Sequence, residues 1–141
     1  MLIIQKEFRI RVYWEDTDAG GIVFYANYLK FFERARTEWL RTLGVSQQAL
    51  KEQTGGMFVV SETNLKYHQP ARLDDELIVS TELLEAGRAS LLLAQSARRL
   101  PCPAGSAPQN LICQGTIRIG WVSASNMKPA RIPTSVLEVL K

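Results

Sequence analysis

The sequence predicts an α+β fold, a five-stranded antiparallel β-sheet wrapped around one long central α-helix. Three observations carry that prediction. Five segments alternate apolar and polar residues, the period of a strand with one buried face. One stretch, residues 28–43, changes to the 3.6-residue period of an amphipathic helix. No linker, repeat or composition shift divides the 141 residues, so residues 1–141 read as a single domain.

The first strand is set by Phe8, Ile10, Val12 and Trp14, alternating with Arg9, Arg11, Tyr13 and Glu15. It runs into Asp16-Thr17-Asp18-Ala19-Gly20-Gly21, where paired glycines and short polar residues mark a turn. In the helix, Tyr28, Phe31, Phe32, Ala35, Trp39 and Leu43 share one face, with Leu29 and Leu40 at its margin. Asn27 is the expected N-cap and Gly44 the stop. Sixteen residues span ~24 Å. Ser46 is expected to cap a short second helix that ends at Gly55-Gly56.

Met57, Val59, Ser61, Thr63, Leu65 and Tyr67 share the apolar parity of the second strand, which Pro70 ends. Leu77, Val79, Thr81 and Leu83 make the third. A tight turn at Ala86-Gly87-Arg88 leads into the fourth, with Ala89, Leu91, Leu93 and Gln95. A Pro-rich loop over residues 101–109 precedes the fifth, with Leu111, Cys113, Ile117, Ile119 and Trp121 inward. An extended tail and a short helix from Thr134 close the chain. A single helix leaves one sheet face and both edges uncovered, so self-association is expected.

Composition excludes several classes. Hydrophobic residues make up 46% and charged residues 22% of the chain, which is ordinary for a folded soluble domain. No run approaches the ~18 apolar residues of a membrane span, and the N-terminus lacks the h-region of a secretory signal; a cytoplasmic address is expected. Seventeen Lys+Arg against fourteen Asp+Glu give +3, spread too evenly for a nucleic-acid stripe but suited to an anionic small ligand. One histidine, His68, and two cysteines, Cys102 and Cys113, in no metal-ligand spacing leave no metal site to build. The thiols are expected reduced.

The segment Tyr13-Trp14-Glu15-Asp16-Thr17-Asp18-Ala19-Gly20-Gly21-Ile22-Val23-Phe24-Tyr25-Ala26-Asn27-Tyr28 resembles the hotdog-fold thioesterases of the 4-hydroxybenzoyl-CoA thioesterase family. More narrowly, it resembles the acyl-CoA thioesterases encoded with the bacterial Tol-Pal system. Phe32-Glu33-Arg34-Ala35-Arg36, Pro70-Ala71-Arg72-Leu73-Asp74-Asp75 and Met127-Lys128-Pro129 with Ile132-Pro133 extend the similarity over nearly the whole chain. The resemblance implies a catalytic carboxylate at Asp18, a carbonyl-polarising backbone N–H at Tyr25, and substrate contacts from Gly21 and Ile22. Many relatives carry His at the position of Tyr25; a backbone amide survives that change. It also implies an acyl-CoA substrate, no cofactor, a homo-oligomer (dimer or tetramer), and acyl carrier protein as a conceivable partner.

The residues suit that chemistry. The thiol leaving group has a pKa near ~8.5 and departs as thiolate, so a strong general acid is dispensable. What remains is a group that attacks or activates water, and donors for the developing oxyanion. Asp18 offers the first, and the unpaired N–H groups at the start of the long helix offer the second. Ser61, on the apolar parity of its strand, is a further candidate for bonding substrate or water. Glu33 and Arg36 border the apolar helix face as a candidate ion pair. His68 falls on a polar strand face. Two other readings stay open here: a hydratase or dehydratase, in which His68 would have to reach Asp18, and a non-catalytic acyl-binding or scaffold protein.

Overall fold

Helix α1 (Asn27–Thr42) carries the core of the protein. Its buried residues are Tyr28, Phe31, Phe32, Ala35, Arg36, Trp39 and Leu40, the i, i+3, i+4 stripe that a sheet-covering helix requires. Each large apolar side chain among them contributes about 1.5–3 kcal/mol through burial. Gly44, at φ 84°, ends the helix in the left-handed conformation, and the N–H of Val45 returns to the Leu40 carbonyl at 2.9 Å. Leu40, expected at the margin, is 1% exposed, and the short helix α2 (Gln47–Thr54) follows it.

The computed structural model describes residues 5–101 and 110–140. Strands β1 (Gln5–Arg11), β2 (Gly56–Tyr67), β3 (Glu76–Ala86), β4 (Ser90–Arg99) and β5 (Leu111–Ser123) form one sheet. Its order is β1-β3-β4-β5-β2, with every neighbouring pair antiparallel. The inward residues of β3, β4 and β5 are those the alternation predicts: Leu77, Val79 and Thr81, then Leu91, Leu93 and Gln95, then Cys113, Ile117, Ile119 and Trp121. They pack against α1. The tail pairs Pro129 with Val122 and ends in α3 (Thr134–Val139), which buries Val136. Of the Pro-rich loop expected over residues 101–109, all but Pro101, Cys102 included, lies outside the described residues.

Two elements differ from the sequence expectation. β1 ends at Arg11, and Trp14 lies on a separate 3-10 turn, Trp14–Asp16; it is 82% exposed rather than inward. The period-two parity stops having meaning where the chain leaves the sheet. In β2 the alternation fails from Val60 onward, because the register with β5 shifts between Val60 and Glu62. A bulge there places Ser61 off parity, and residues 60–64 are exposed along this edge strand.

Beneath α1 lies a buried polar network. Gln95, 2% exposed, donates to the Phe32 carbonyl at 3.0 Å and to Thr81 Oγ1 at 2.8 Å. Its Oε1 accepts from the Arg36 guanidinium at 3.0 Å. Burial lowers the Arg36 pKa, with the nearby Glu33 opposing that shift. The partner expected for Arg36 was Glu33; the bonded partner is Gln95, because Arg36 points into the sheet while Glu33 is exposed.

Candidate active site

The loop from β1 to α1 folds as a miniature hairpin. The Tyr13 N–H donates to Asp16 Oδ2 at 2.8 Å, and the Asp16 N–H to the Tyr13 carbonyl at 3.0 Å. The Asp16 carbonyl accepts from the Phe24 N–H at 3.0 Å and from Asn27 Nδ2 at 2.8 Å. One step further, Thr17 bridges Val23, and the Asp18 N–H donates to the Ile22 carbonyl at 2.9 Å. Asp16 is thus buried and committed to the scaffold, Glu15 is exposed, and Asp18 stands at the tip.

The Asp18 carboxylate is held by the turn it belongs to. Its Oδ1 accepts from the Gly20 N–H at 2.8 Å, and the Gly21 N–H donates to the Asp18 carbonyl at 3.0 Å. Gly21 has φ 78°, a left-handed conformation that glycine adopts at no steric cost. Among the described residues no donor reaches Asp18 Oδ2. In the single chain the carboxylate is exposed.

The start of α1 is left open. The N-cap position is Ala26, with no side-chain cap. Asn27, the expected cap, instead sends its amide back to the Asp16 carbonyl. Among the described residues no backbone or side-chain oxygen accepts from the N–H groups of Tyr25 or Ala26. The Ala26 N–H belongs to the positive end of the helix dipole, and the Tyr25 N–H stands one residue ahead of it. The Tyr25 ring is 62% exposed and lies beside Phe24 and Tyr67, with ring centroids 4.8 and 6.3 Å away. Asp18 and Tyr25 are not bonded to each other; they occupy the tip and the base of the same hairpin.

The remaining expectations separate. Gly21 and Ile22 lie in the turn, Ile22 bridging Arg72 through its backbone. Ser61 does not join them: its hydroxyl reaches the Arg118 carbonyl at 3.4 Å, and it lies six residues, ~20 Å of strand, from the end of β2 that touches Tyr25. The strand passes the helix start at Tyr67, not at Ser61. His68 Nε2 meets Gln114 Nε2 at 3.3 Å and makes no bond to Asp18, so the acid/base pair of the hydratase reading is not assembled. Sequence reasoning did not single out Tyr67, whose hydroxyl reaches the Tyr25 carbonyl; an aromatic on the apolar parity just before the strand-ending proline was the available signal.

Cavities open elsewhere on the single chain, one of about 610 Å³ beside Arg9, Arg11 and Asp74. One of about 580 Å³ crosses the sheet face away from α1, lined by Glu7, Lys66 and Ser80 among others. One of about 190 Å³ lies between α1 and β2, beside Glu33, Arg36 and Phe58.

Residues 12–140 match the family model of the thioesterase-like superfamily. The chain is 43% identical over 129 residues to the acyl-CoA thioesterase YbgC of Haemophilus influenzae, covering 92% of this chain and 89% of that one. It is 40% identical over 132 residues to the acyl-CoA thioester hydrolase YbgC of Escherichia coli, covering 94% and 92%. The fold matches a crystal structure of a mutant 4-hydroxybenzoyl-CoA thioesterase complexed with 4-hydroxybenzoyl-CoA. There the TM-score is 0.87, with 19% identity, over 99% of this chain and 100% of that one.

Proposed function

The chain belongs to the thioesterase-like superfamily, and from that membership and the geometry of its hairpin we propose an acyl-CoA thioesterase that hydrolyses acyl-CoA to free acid and CoA. The observation that carries the reading is a carboxylate with one uncommitted oxygen, Asp18, on the same hairpin as the uncapped start of α1. Asp18 acts as general base toward water or as nucleophile on the carbonyl carbon. The Tyr25 N–H stabilises the oxyanion as it forms, a contribution of ~3–4 kcal/mol where such donors have been removed from hydrolases. The C–S bond then breaks, CoA leaves as thiolate, and water supplies the oxygen of the new carboxylate.

The protein works as a homo-oligomer, dimer or tetramer. Asp18 is open to solvent in one subunit, and exposed Trp14, Phe24, Tyr25, Val60 and Tyr67 lie on the hairpin and on the unpaired edge β2. An edge strand with apolar neighbours of this kind is a template for a second copy, which closes a crevice over the carboxylate. The CoA phosphates are met by surface cations drawn from Lys66, Arg72, Arg88, Arg98 and Arg131; Arg99, a further candidate by sequence, is instead paired with Asp75 at 3.0 Å and bonded to Gln69 at 3.2 Å. A cytoplasmic address accompanies an acyl-CoA substrate, and kinship with the Tol-Pal-associated thioesterases adds acyl carrier protein as a second thioester carrier.

A thiol-release assay over aliphatic and aromatic acyl-CoA thioesters and acyl carrier protein thioesters tests the reading. The wild-type protein releases thiol, and Asp18→Asn keeps the fold while losing at least ~100-fold in kcat, the scale of one general base. A near-normal rate in that variant refutes the assignment of Asp18.

A further inference from the structure

The Tyr67 hydroxyl, at the end of β2, donates to the Tyr25 carbonyl at 3.2 Å. That carbonyl has no helical partner to compete for it. The Leu29 N–H, which would reach Tyr25 in a regular α-turn, donates to Ala26 instead at 3.2 Å, and the Asn27 N–H donates to Phe24 at 2.8 Å. The first turn is tightened, and the Tyr25 carbonyl is left for a side chain from the sheet.

The Tyr67 ring is held for the task. Its centroid lies 6.3 Å from that of Tyr25, edge-on, and 5.8 Å from that of Tyr28. Tyr28 is itself anchored, its hydroxyl accepting from the Ala71 N–H at 3.3 Å. Burial raises the Tyr67 pKa above its ordinary value, with Cys113 and Tyr25 adding to the shift, so the hydroxyl remains a donor across neutral pH.

We infer that Tyr67 is a positioning residue of the thioester site, orienting the Tyr25–Ala26 peptide through its carbonyl so that the Ala26 N–H joins the Tyr25 N–H of the preceding peptide as a second donor to the oxyanion. The inference rests on the thioesterase reading above. Fixing the Tyr25 carbonyl fixes ψ at Tyr25, and with it the direction of the Ala26 N–H in the same planar peptide. A hydrogen bond accepted by that carbonyl also polarises the amide, which strengthens its N–H as a donor. Both effects strengthen as negative charge develops on the carbonyl oxygen, so they weigh more on the transition state than on the bound substrate.

Tyr67→Phe keeps the ring and removes only the hydroxyl; Tyr67→Leu removes both. Thiol release is measured for wild type and both variants on one acyl-CoA, with Tm and the amide ¹⁵N–¹H resonances of Tyr25 and Ala26. Tyr67→Phe is expected to lower kcat by roughly 3- to 10-fold, the scale of one neutral hydrogen bond, with KM and Tm unchanged and the Ala26 resonance moved. Unchanged kcat in Tyr67→Phe, with loss confined to Tyr67→Leu, overturns the role and leaves only ring packing. A kcat loss that follows a fall in Tm overturns it equally. Absence of thiol release by the wild-type protein refutes the thioesterase reading itself, a result none of the variant comparisons produces.

Discussion

Gly20 donates its N–H to Asp18 Oδ1 at 2.8 Å, and a Cβ built on Gly20 would stand 3.2 Å from that same oxygen. The carboxylate is therefore gripped by a residue that has to be small. Gly20 does not have a positive φ, so its backbone accepts alanine and the crowding falls on Asp18 alone. Gly20→Ala is expected to leave Tm nearly unchanged and to lower kcat by about 10-fold, since small misplacements of a reacting group are costly. Thiol-release kinetics beside thermal melting check this; equal kcat shows that the grip does not matter.

Gly21 behaves in the opposite way. A Cβ there meets nothing within 4 Å, but φ is 78°. Gly21→Ala costs about 1–2 kcal/mol of stability from the left-handed backbone alone, and Gly21→Asn costs less, because asparagine tolerates that region. Urea unfolding of the three proteins gives the order Gly, Asn, Ala.

The Arg36–Gln95–Thr81 network predicts non-additive stability. Gln95→Leu removes the acceptor of a buried guanidinium and leaves Thr81 without its partner, at a cost of about 1.5–3 kcal/mol. Arg36→Met with Gln95→Leu loses less than the sum of the single changes, because two apolar groups then face each other. A double-mutant cycle by chemical denaturation measures the coupling; strict additivity shows that the contact is not energetic.

Cys113 is fully buried, and desolvation pushes its thiol up from 9.0 to about 12. The folded state holds that proton more tightly than the unfolded chain. Its contribution to stability is complete below pH 9 and is lost progressively as pH rises from about 9 to about 12. Cys113→Ala is expected to flatten the alkaline limb of the stability profile. In the native protein at pH 7.5 the thiol resists alkylation at residue 113, read by peptide mass, and reacts once urea unfolds the chain.

Much of the fold was legible because strand and helix periods are local. Leu77, Val79, Leu91, Leu93, Ile117 and Ile119 alternate, and Tyr28, Phe31, Phe32, Ala35 and Trp39 repeat by helical turns; all are buried where those periods place them. Trp14 and Ser61 were misplaced for the converse reason. A parity count carries on through a strand end or a bulge that only pairing with a neighbour creates, as the shift between Val60 and Glu62 shows. Asn27 has the side chain of an N-cap, but the Asp16 carbonyl, eleven positions away, takes its amide.

The amino-acid sequence by itself determined the strand and helix faces, the Gly21 turn and the presence of a carboxylate ahead of a long helix, since each depends on residues within a few positions. The tertiary structure alone decided that the Gln95 amide meets Arg36, that Asp16 is spent on the hairpin, and that Tyr67 reaches the Tyr25 carbonyl. Those partners stand eleven to fifty-nine positions apart or rest on loop geometry, and hydrogen bonds of fixed length between them exist only once the sheet order β1-β3-β4-β5-β2 has brought their strands against α1.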